Sequence, residues 1–425
     1  PTGLIRDVGY AQIGPKTGRK SPRTGRLHQS TGRILHQKQP ATLALALMIA
    51  VQRDGWNFRP GQPVPPIVTT ARVSIDSSGE QGDDSSHSPS ISADGRYVAF
   101  SSTATNLVDV DTNGCGDVFV HDRQTGQTTL VSVASDGSQG NDGSGQASIS
   151  ADGRFVAFRS YASNLVDNDA NGYPDIFVHD RQTGQTTRIS VASGGIQGNN
   201  DSGYPSISAD GRFVAFRSYA SNLVSGDANG TWDVFVHDRQ TGQIACISVA
   251  SDGNQGNGYS GSPYAPAISA DGRYVAFDSD ASNLVSEDTN GTWDIFVRDR
   301  QIGQTTRVSI AFDGAQSNGG SLYASISADG RYIAYNSEAS NLVANDTNGY
   351  WDLFVHDRQT GQTARVSVTS AGSQGDGDSF FPSISADGQR VAFDSYASDL
   401  VGDDTNGMRD VFLHNRQTGQ TVRIS

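Results

Sequence analysis

The chain has 425 residues, 49 of them glycine, and a formal net charge of −14. The charge is uneven, because residues 1–60 carry ten Lys and Arg against two Asp, whereas residues 61–425 carry 21 Arg, no Lys and 43 acidic residues. An acidic body excludes nucleic acid as the expected partner, since nucleic-acid binding relies on basic groups that contact phosphates. No long segment shows a 3.6-residue apolar period, which favours short strands over helices.

The N-terminal part predicts an exported protein. Residues 1–60 read as a basic, mostly disordered leader with almost no apolar periodicity. Within it, the apolar run 41–51 follows a basic segment, which is the pattern of a secretory signal, and it is too short to span a bilayer. The sequence therefore predicts a secreted or periplasmic protein without a membrane span. Residues 61–69 are a proline-rich linker, and residues 70–425 form the folded domain.

The folded domain consists of six near-copies of one segment. Its Ala-Asp-Gly motif recurs with spacings of 58, 58, 61, 58 and 58 residues, beginning at Ala93, Ala151, Ala209, Ala270, Ala328 and Ala386. A fixed period of this length predicts a repeat architecture.

Each copy predicts four antiparallel strands, named a to d here. In the first copy these strands are Pro89–Ser92, Tyr97–Phe100, Val118–His121 and Thr129–Val133. Apolar residues at successive positions of strands b and c indicate a sheet that is buried on both faces. Six such sheets predict an all-β fold, a six-bladed β-propeller of four-stranded antiparallel blades.

Three motifs recur through the copies: Ser-x-Asp-Gly-Arg-x-x-Ala-Phe, Asp-(Ile/Val)-Phe-Val-x-Asp and Thr-x-Arg-(Val/Ile)-Ser. Together they resemble the TolB-like propeller repeat of bacterial envelope and secreted proteins, over roughly residues 70–425. The resemblance implies a propeller fold, and it implies no particular activity because one fold serves many functions.

The strand count leaves an alternative open. Ala71–Ile75 and Val422–Ser425 both read as d strands, which gives seven d strands for six sets of a, b and c. Either the two terminal strands compete for one blade edge, or the ring has seven blades and the chain is truncated. We favour six blades.

The loop between strands b and c predicts calcium sites. It places carboxylate and amide oxygens at alternate positions, a Gly at the sixth position and an Asp at the ninth, as a hard cation requires. The spacing resembles the calcium loops in the propellers of integrin α-subunits. The first two copies carry the full set, Asp109, Asp111, Asn113 and Asp117, then Asp167, Asp169, Asn171 and Asp175.

The later four copies lack the first acid, so we expect them to bind calcium more weakly. Their candidate ligands are Asp227, Asn229 and Asp233; Asp288, Asn290 and Asp294; Asp346, Asn348 and Asp352; and Asp404, Asn406 and Asp410. The alternative is that Asp-x-Asn-Gly is turn chemistry, in which side chains bind nearby backbone N–H groups.

Aromatic residues mark the same loop. Trp232, Trp293 and Trp351 occupy one loop position in three consecutive copies, and Tyr173 and Tyr350 lie one residue earlier in theirs. Exposed, they would form an arc that stacks on sugars or anchors a peptide. The alternative, which we favour, is that each Trp packs on its own or a neighbouring blade.

The sequence contains none of the common catalytic motifs: there is no nucleophile elbow, no zinc-protease motif and no phosphate loop. The predicted function is a non-catalytic, calcium-stabilised module that binds a protein or glycan on the long-loop face. The alternative is an enzyme that acts on a polysaccharide or small molecule in the central channel. The inner positions that vary between copies would then form its site, namely Arg159, Arg217, Asp278, Asn336 and Asp394.

Overall fold

A computed structural model describes residues 70–261 and 265–425, and in them it contains 24 strands in six four-stranded antiparallel sheets. Blades 1 to 3 comprise β1 (Ser86–Ile91), β2 (Tyr97–Ser102), β3 (Asp117–Asp122), β4 (Thr128–Leu130); β5 (Ser144–Ile149), β6 (Phe155–Ser160), β7 (Asp175–Asp180), β8 (Gln185–Arg188); and β9 (Ser202–Ile207), β10 (Phe213–Ser218), β11 (Asp233–Asp238), β12 (Gln243–Cys246). Blades 4 to 6 comprise β13 (Ala267–Ile268), β14 (Tyr274–Ser279), β15 (Asp294–Asp299), β16 (Gln304–Arg307); β17 (Ser321–Ile326), β18 (Tyr332–Ser337), β19 (Asp352–Asp357), β20 (Gln362–Arg365); and β21 (Ser379–Ile384), β22 (Arg390–Ser395), β23 (Asp410–Asn415), β24 (Gln420–Arg423).

The predicted six-bladed β-propeller is confirmed. In every sheet the strands follow the order a, b, c, d, and strand a of each of the first five blades contacts strand a of the next. The a strands therefore line the centre of the ring. Because the strands alternate in direction, the long b–c and d–a loops emerge at one end of each blade and the short a–b and c–d turns emerge at the other.

The core lies between blades. Strand b of blade 2 turns Val156 and Phe158 towards blade 1, where they pack with Ala99 and Val118. The same arrangement of buried apolar residues recurs at the next four junctions. Both faces of strands b and c are covered in this way, which explains their unbroken apolar runs.

The short-turn ends are joined by one repeated device. Tyr97 of blade 1 lies under the guanidinium groups of Arg96 and, from blade 2, Arg181. Gly153 of blade 2 sits against the same ring, where an added Cβ would be 2.1 Å from a ring carbon. Arg96 also makes a two-bond ion pair with Asp122. Equivalent residues build the next four junctions.

Blade 6 departs from this device. Gln389, Arg390 and Asn415 stand where the other blades have arginine, an aromatic residue and aspartate. Among the described residues, the apolar clusters on blade 1 and blade 6 that would meet at the sixth junction stay separate.

One of the two predicted terminal strands does not form. Ala71–Ile75 was predicted as a strand, but in this stretch only Ile75 forms a β-bridge, with Gln81. Blade 6 takes its strand d from β24. Leader 1–60, linker 61–69 and the signal-like run 41–51 lie outside the described residues. Within residues 70–261 and 265–425, no helix is long and apolar enough to cross a membrane.

Candidate functional site

The predicted calcium loops are held by side-chain amides and hydroxyls. In blade 1, Gln139 Nε2 donates to Asp111 Oδ1 at 2.8 Å and to Asp117 Oδ2 at 2.9 Å. Asn113 Nδ2 also donates to Asp117, and Ser132 Oγ donates to its other oxygen. The third-position and ninth-position carboxylates of the loop therefore share one glutamine side chain.

In four blades an arginine lies between these two carboxylates. Arg365 Nη1 of strand d is 3.1 Å from Asp346 and 3.2 Å from Asp352. Its equivalents are Arg188, Arg307 and Arg423. Blades 1 and 3 carry Leu130 and Cys246 at this position instead.

Burial raises the pKa of several ninth-position aspartates. Burial raises the pKa of Asp175 and of Asp233 to about 6, against the opposing effect of hydrogen bonds from Ser190 and Ser248. The first-position residues Asp109 and Asp167 are exposed and stand apart from this arrangement. Among the described residues, no group of three or more His, Cys, Asp or Glu is placed to hold a metal ion. Calcium in these loops stays a prediction.

The predicted aromatic arc has two kinds of member. Tyr173 and Tyr350 are 46% and 42% exposed. The three tryptophans are half-buried, and Trp232 packs edge-on against Tyr219 with ring centroids 5.7 Å apart. Trp351 lies 6.3 Å from Phe380 of the next blade.

A second set of residues surrounds the channel at the long-loop ends of the blades. Strand a carries a β-bulge in blades 1, 2, 3, 5 and 6. At each bulge a residue other than glycine adopts positive φ: Ser88, Gln146, Tyr204, Tyr323 and Phe381. This conformation is strained for bulky side chains, and such strain concentrates at functional sites.

The varying positions Arg159, Arg217, Asp278, Asn336 and Asp394 lie on strand b rather than on the inner strand. Each is the fifth residue of its strand, beside strand a. The sequence reading placed them on the channel wall itself, and the structure moves them one strand outward.

In blades 2 and 3 this position holds arginine. Arg159 Nη2 is 3.0 Å from Asp201 of blade 3. The Arg217 guanidinium lies between two rings, 4.4 Å from the centroid of Tyr204 and 4.5 Å from that of Trp232. Two aromatic faces therefore fix the direction of this cation.

In blade 4 the position holds Asp278, which is 5% exposed. Its Oδ2 has no hydrogen-bond partner among the described residues. Burial raises the pKa of Asp278 to about 8, although the nearby Arg217 acts to lower it. At pH 7 an acid of this kind is mostly protonated with a minor ionised fraction, so its proton is available for transfer near neutral pH.

In blades 5 and 6 the same position of strand b is also polar and buried. Asn336 is fully buried, and neither atom of its amide has a described partner. Asp394 pairs with Arg409, whose guanidinium lies over Phe381. Unlike residues thus occupy one repeat position in a site built by several blades.

The sequence reading missed Asp201, Tyr204 and Arg409. A signal was present in the repeat itself, because these positions vary between copies; Arg409, for example, stands where three copies carry Trp. Their partnership with strand b was not visible, since the contacts join different blades.

No protein-family model and no curated protein matches the chain. Solved structures do match. Oligogalacturonate lyase in complex with manganese is 13% identical, with a TM-score of 0.50, over 81% of this chain and 79% of that chain. TolB from Acinetobacter baumannii is 19% identical, with a TM-score of 0.41, over 72% of this chain and 59% of that one. TolB from Agrobacterium tumefaciens is 16% identical, with a TM-score of 0.43, over 72% and 87%. At these identities the likeness concerns the fold alone.

The prediction of a non-catalytic binding module needs correction. Structures that share the fold include an enzyme, oligogalacturonate lyase, as well as TolB. A propeller of this type therefore does not single out a binding role, and the step from repeat to binding module was wrong. What the repeats and the structure agree on is the architecture, a six-bladed β-propeller, and TolB structures are among those that the chain is similar to.

Proposed function

We propose that the chain is an enzyme whose active site lies at the long-loop ends of blades 2 to 4, next to the channel. The observation that carries this proposal is Asp278, a buried carboxyl with an unpartnered oxygen and a pKa raised to about 8, near the Arg217 guanidinium. Perturbed acids beside a fixed cation are typical of catalytic sites.

The chemistry of the site favours an anionic saccharide as substrate. Arg217 would bind a carboxylate, and the rings of Tyr204 and Trp232 hold its guanidinium in place. In its ionised form, Asp278 would take the proton from the carbon next to that carboxylate. The electron pair of this C–H bond would form a carbon–carbon double bond, and the glycosidic oxygen on the neighbouring carbon would leave with its bonding pair and take a proton from water. A fixed positive charge stabilises the carbanion-like state that forms when such a proton is removed.

Oligogalacturonate is the first probe to test. It is a chain of carboxylated sugars, and an enzyme that shares this fold, oligogalacturonate lyase, is named after it. The full chain would be incubated with oligogalacturonate, with and without manganese, and ultraviolet absorbance would report unsaturated products. Neutral oligosaccharides of equal length test whether the carboxylate matters. We expect turnover of the carboxylated substrate only.

Two variants and one control locate the site. Asp278→Asn should reduce kcat by about 10²–10⁴-fold, the usual contribution of a general acid or base. Arg217→Gln should chiefly raise KM. Ser101→Ala changes the equivalent position in blade 1 and should leave turnover unchanged. Full activity of Asp278→Asn, or inactivity of the parent chain towards every saccharide tested, would reject the proposal.

We also propose that the protein is exported. The apolar run 41–51 behind a basic segment supports this. Fractionation of cells that express the whole chain, with and without residues 41–51, tests it: only the intact chain should leave the cytoplasm.

A further inference from the structure

The first residue after strand b is exposed in all six blades, and its side chain differs from blade to blade. Its backbone N–H always donates to a carbonyl of the preceding d–a loop, at 2.9 to 3.1 Å. The six residues are Thr103, Tyr161, Tyr219, Asp280, Glu338 and Tyr396. Because this bond forms with threonine, tyrosine or an acid alike, the fold of the loop does not require a tyrosine ring.

The tyrosine of blade 2 is held from one side and open on the other. Tyr161 is 52% exposed, and the Arg159 guanidinium lies 4.7 Å from the centroid of its ring. Arg159 is itself fixed by its ion pair with Asp201 of blade 3. A cation of fixed direction therefore supports the ring, while about half of the residue faces solvent.

The tyrosine of blade 3 is connected to the proposed active site. Tyr219 is 38% exposed and packs edge-on against Trp232, whose ring lies 4.5 Å from the Arg217 guanidinium. Asp201 links the two tyrosine positions, because its carbonyl accepts from Tyr219 N and its carboxylate pairs with Arg159. The two exposed rings and the substrate-binding arginine thus belong to one connected set of side chains.

Blades 4 and 5 carry negative charge at the same position. Asp280 accepts from the backbone N–H of Tyr259 at 2.6 Å, and Glu338 accepts from that of Gly320 at 3.2 Å. Both acids are exposed. A carboxylated chain bound at Arg217 would therefore meet neutral aromatic rings towards blade 2 and like charges towards blade 5, which disfavour that direction.

We infer that Tyr161 and Tyr219 are stacking platforms for two sugar rings of one anionic saccharide, which extends from Arg217 over blades 3 and 2. This inference rests on the proposed function and adds the direction in which the substrate lies. A tyrosine combines a large apolar ring with a polar tip, which suits the C–H face and the hydroxyl groups of a sugar. Packed sheets lie about 10 Å apart, so only a chain of several sugars covers both platforms.

Calorimetric binding of oligogalacturonates of increasing length tests the inference. The full chain would carry Asp278→Asn, so that the ligand is not consumed. We expect the Kd to fall as the ligand lengthens, until both rings are covered. Tyr161→Thr and Tyr219→Thr, which introduce the residue of blade 1, should each raise the Kd of long ligands by about 3–10-fold. Tyr161→Thr should not affect the shortest ligand, because Tyr161 lies one blade beyond Arg217.

Two controls separate stacking from other causes. Tyr161→Phe keeps the ring and should keep the parental Kd, whereas a misfolded loop would lose affinity in this variant too. Tyr396→Thr is the matched control, because Tyr396 is similarly exposed and lies beside a cation, Arg409. It belongs to blade 6, which does not adjoin blades 2 to 4, so the Kd should not change.

The outcomes distinguish this inference from the proposed function. A Kd that is independent of ligand length, unaffected by both tyrosine variants, or raised equally by Tyr396→Thr would overturn the platforms, even if the parent chain turns over the substrate. Length-dependent binding that needs both rings, without turnover by the parent chain, would support the platforms and reject the catalytic role. Absence of any saccharide binding would overturn both.

Discussion

The two ends of the blades follow opposite rules. At the short-turn end, the same arginine, aromatic and glycine residues recur at five junctions, as in Arg181, Tyr97 and Gly153. At the long-loop end beside the channel, one position of strand b holds Ser101, Arg159, Arg217, Asp278, Asn336 and Asp394 in turn. Uniformity indicates a scaffold that every junction needs, and variation among duplicated blades marks the region where a single asymmetric site can form.

The largest expected effect comes from crowding a junction at the uniform, short-turn end. Gly211 has φ +72°, and an added Cβ would lie 2.1 Å from a ring carbon of Phe155. We expect Gly211→Ala to lower the free energy of unfolding by about 3 kcal/mol, from overpacking and an unfavourable φ together. Urea denaturation measures this. Gly184→Ala is the control, since Gly184 has φ +75° with no atom within 4 Å, and it should lose only about 1 kcal/mol.

The second prediction concerns the variable end and its pH dependence. The pKa of Asp278 is raised from 3.8 to about 8, so folding disfavours the ionised carboxylate. The ionisation of Asp278 leaves the free energy of unfolding unchanged below about pH 4. As the pH rises towards 8, it lowers the free energy of unfolding by at most about 1.4 kcal/mol per pH unit. Asp278→Asn should therefore be more stable than the parent chain at pH 7 and equal to it at pH 4. Equal stability at both pH values would contradict the assigned burial.

The third prediction compares loops that differ by one residue. Arg365→Leu gives blade 5 the residue that blade 1 has at Leu130, and it leaves the buried Asp352 without its cation. We expect a loss of about 2 kcal/mol at pH 7, which shrinks as the pH falls and Asp352 is protonated. Calorimetric melts at pH 5 and pH 7 measure this difference. A similar loss at both pH values would point to lost packing instead.

The fourth prediction concerns the short-turn end of blade 6, which lacks the ion pair. Gln389→Arg with Asn415→Asp gives blade 6 the ion pair that the other blades have. Since these arginines are about one-third exposed, the free energy of unfolding should rise by at most about 1 kcal/mol, and this gain should decrease at high salt. Each single change alone should gain nothing.

The smallest effect concerns calcium. The first loop has Asp109, Asp111 and Asp117 and no strand-d arginine, so it is the loop where calcium should raise the melting temperature. Leu130→Arg should remove this effect, because the guanidinium would lie where it does in blade 5, between the two carboxylates. An equal calcium response in the variant would place the ion elsewhere.

The repeat, the order of the strands and the end of the blade that carries the long loops could all be predicted from the sequence. Alternation and Asp-Gly turns act within a few residues, so they are visible in a single copy, and the period is visible when the copies are compared. The sequence could not determine that Arg188 and its equivalents lie between the loop carboxylates, because strand d meets the b–c loop only through the sheet.

Only the tertiary structure brought Arg217, Tyr204 and Trp232 together, and only it buried Asp278. These residues come from separate strands and loops, and the free energy of a buried charge depends on every neighbour at once. In the structure, Ser425 belongs to blade 6, whereas Ser74 lies on the segment before blade 1. The sequence alone indicated only that both terminal strands could occupy the same blade edge. The local sequence pattern specified the four strands of each blade. The packing of one blade on the next decided which polar side chains meet and which are buried.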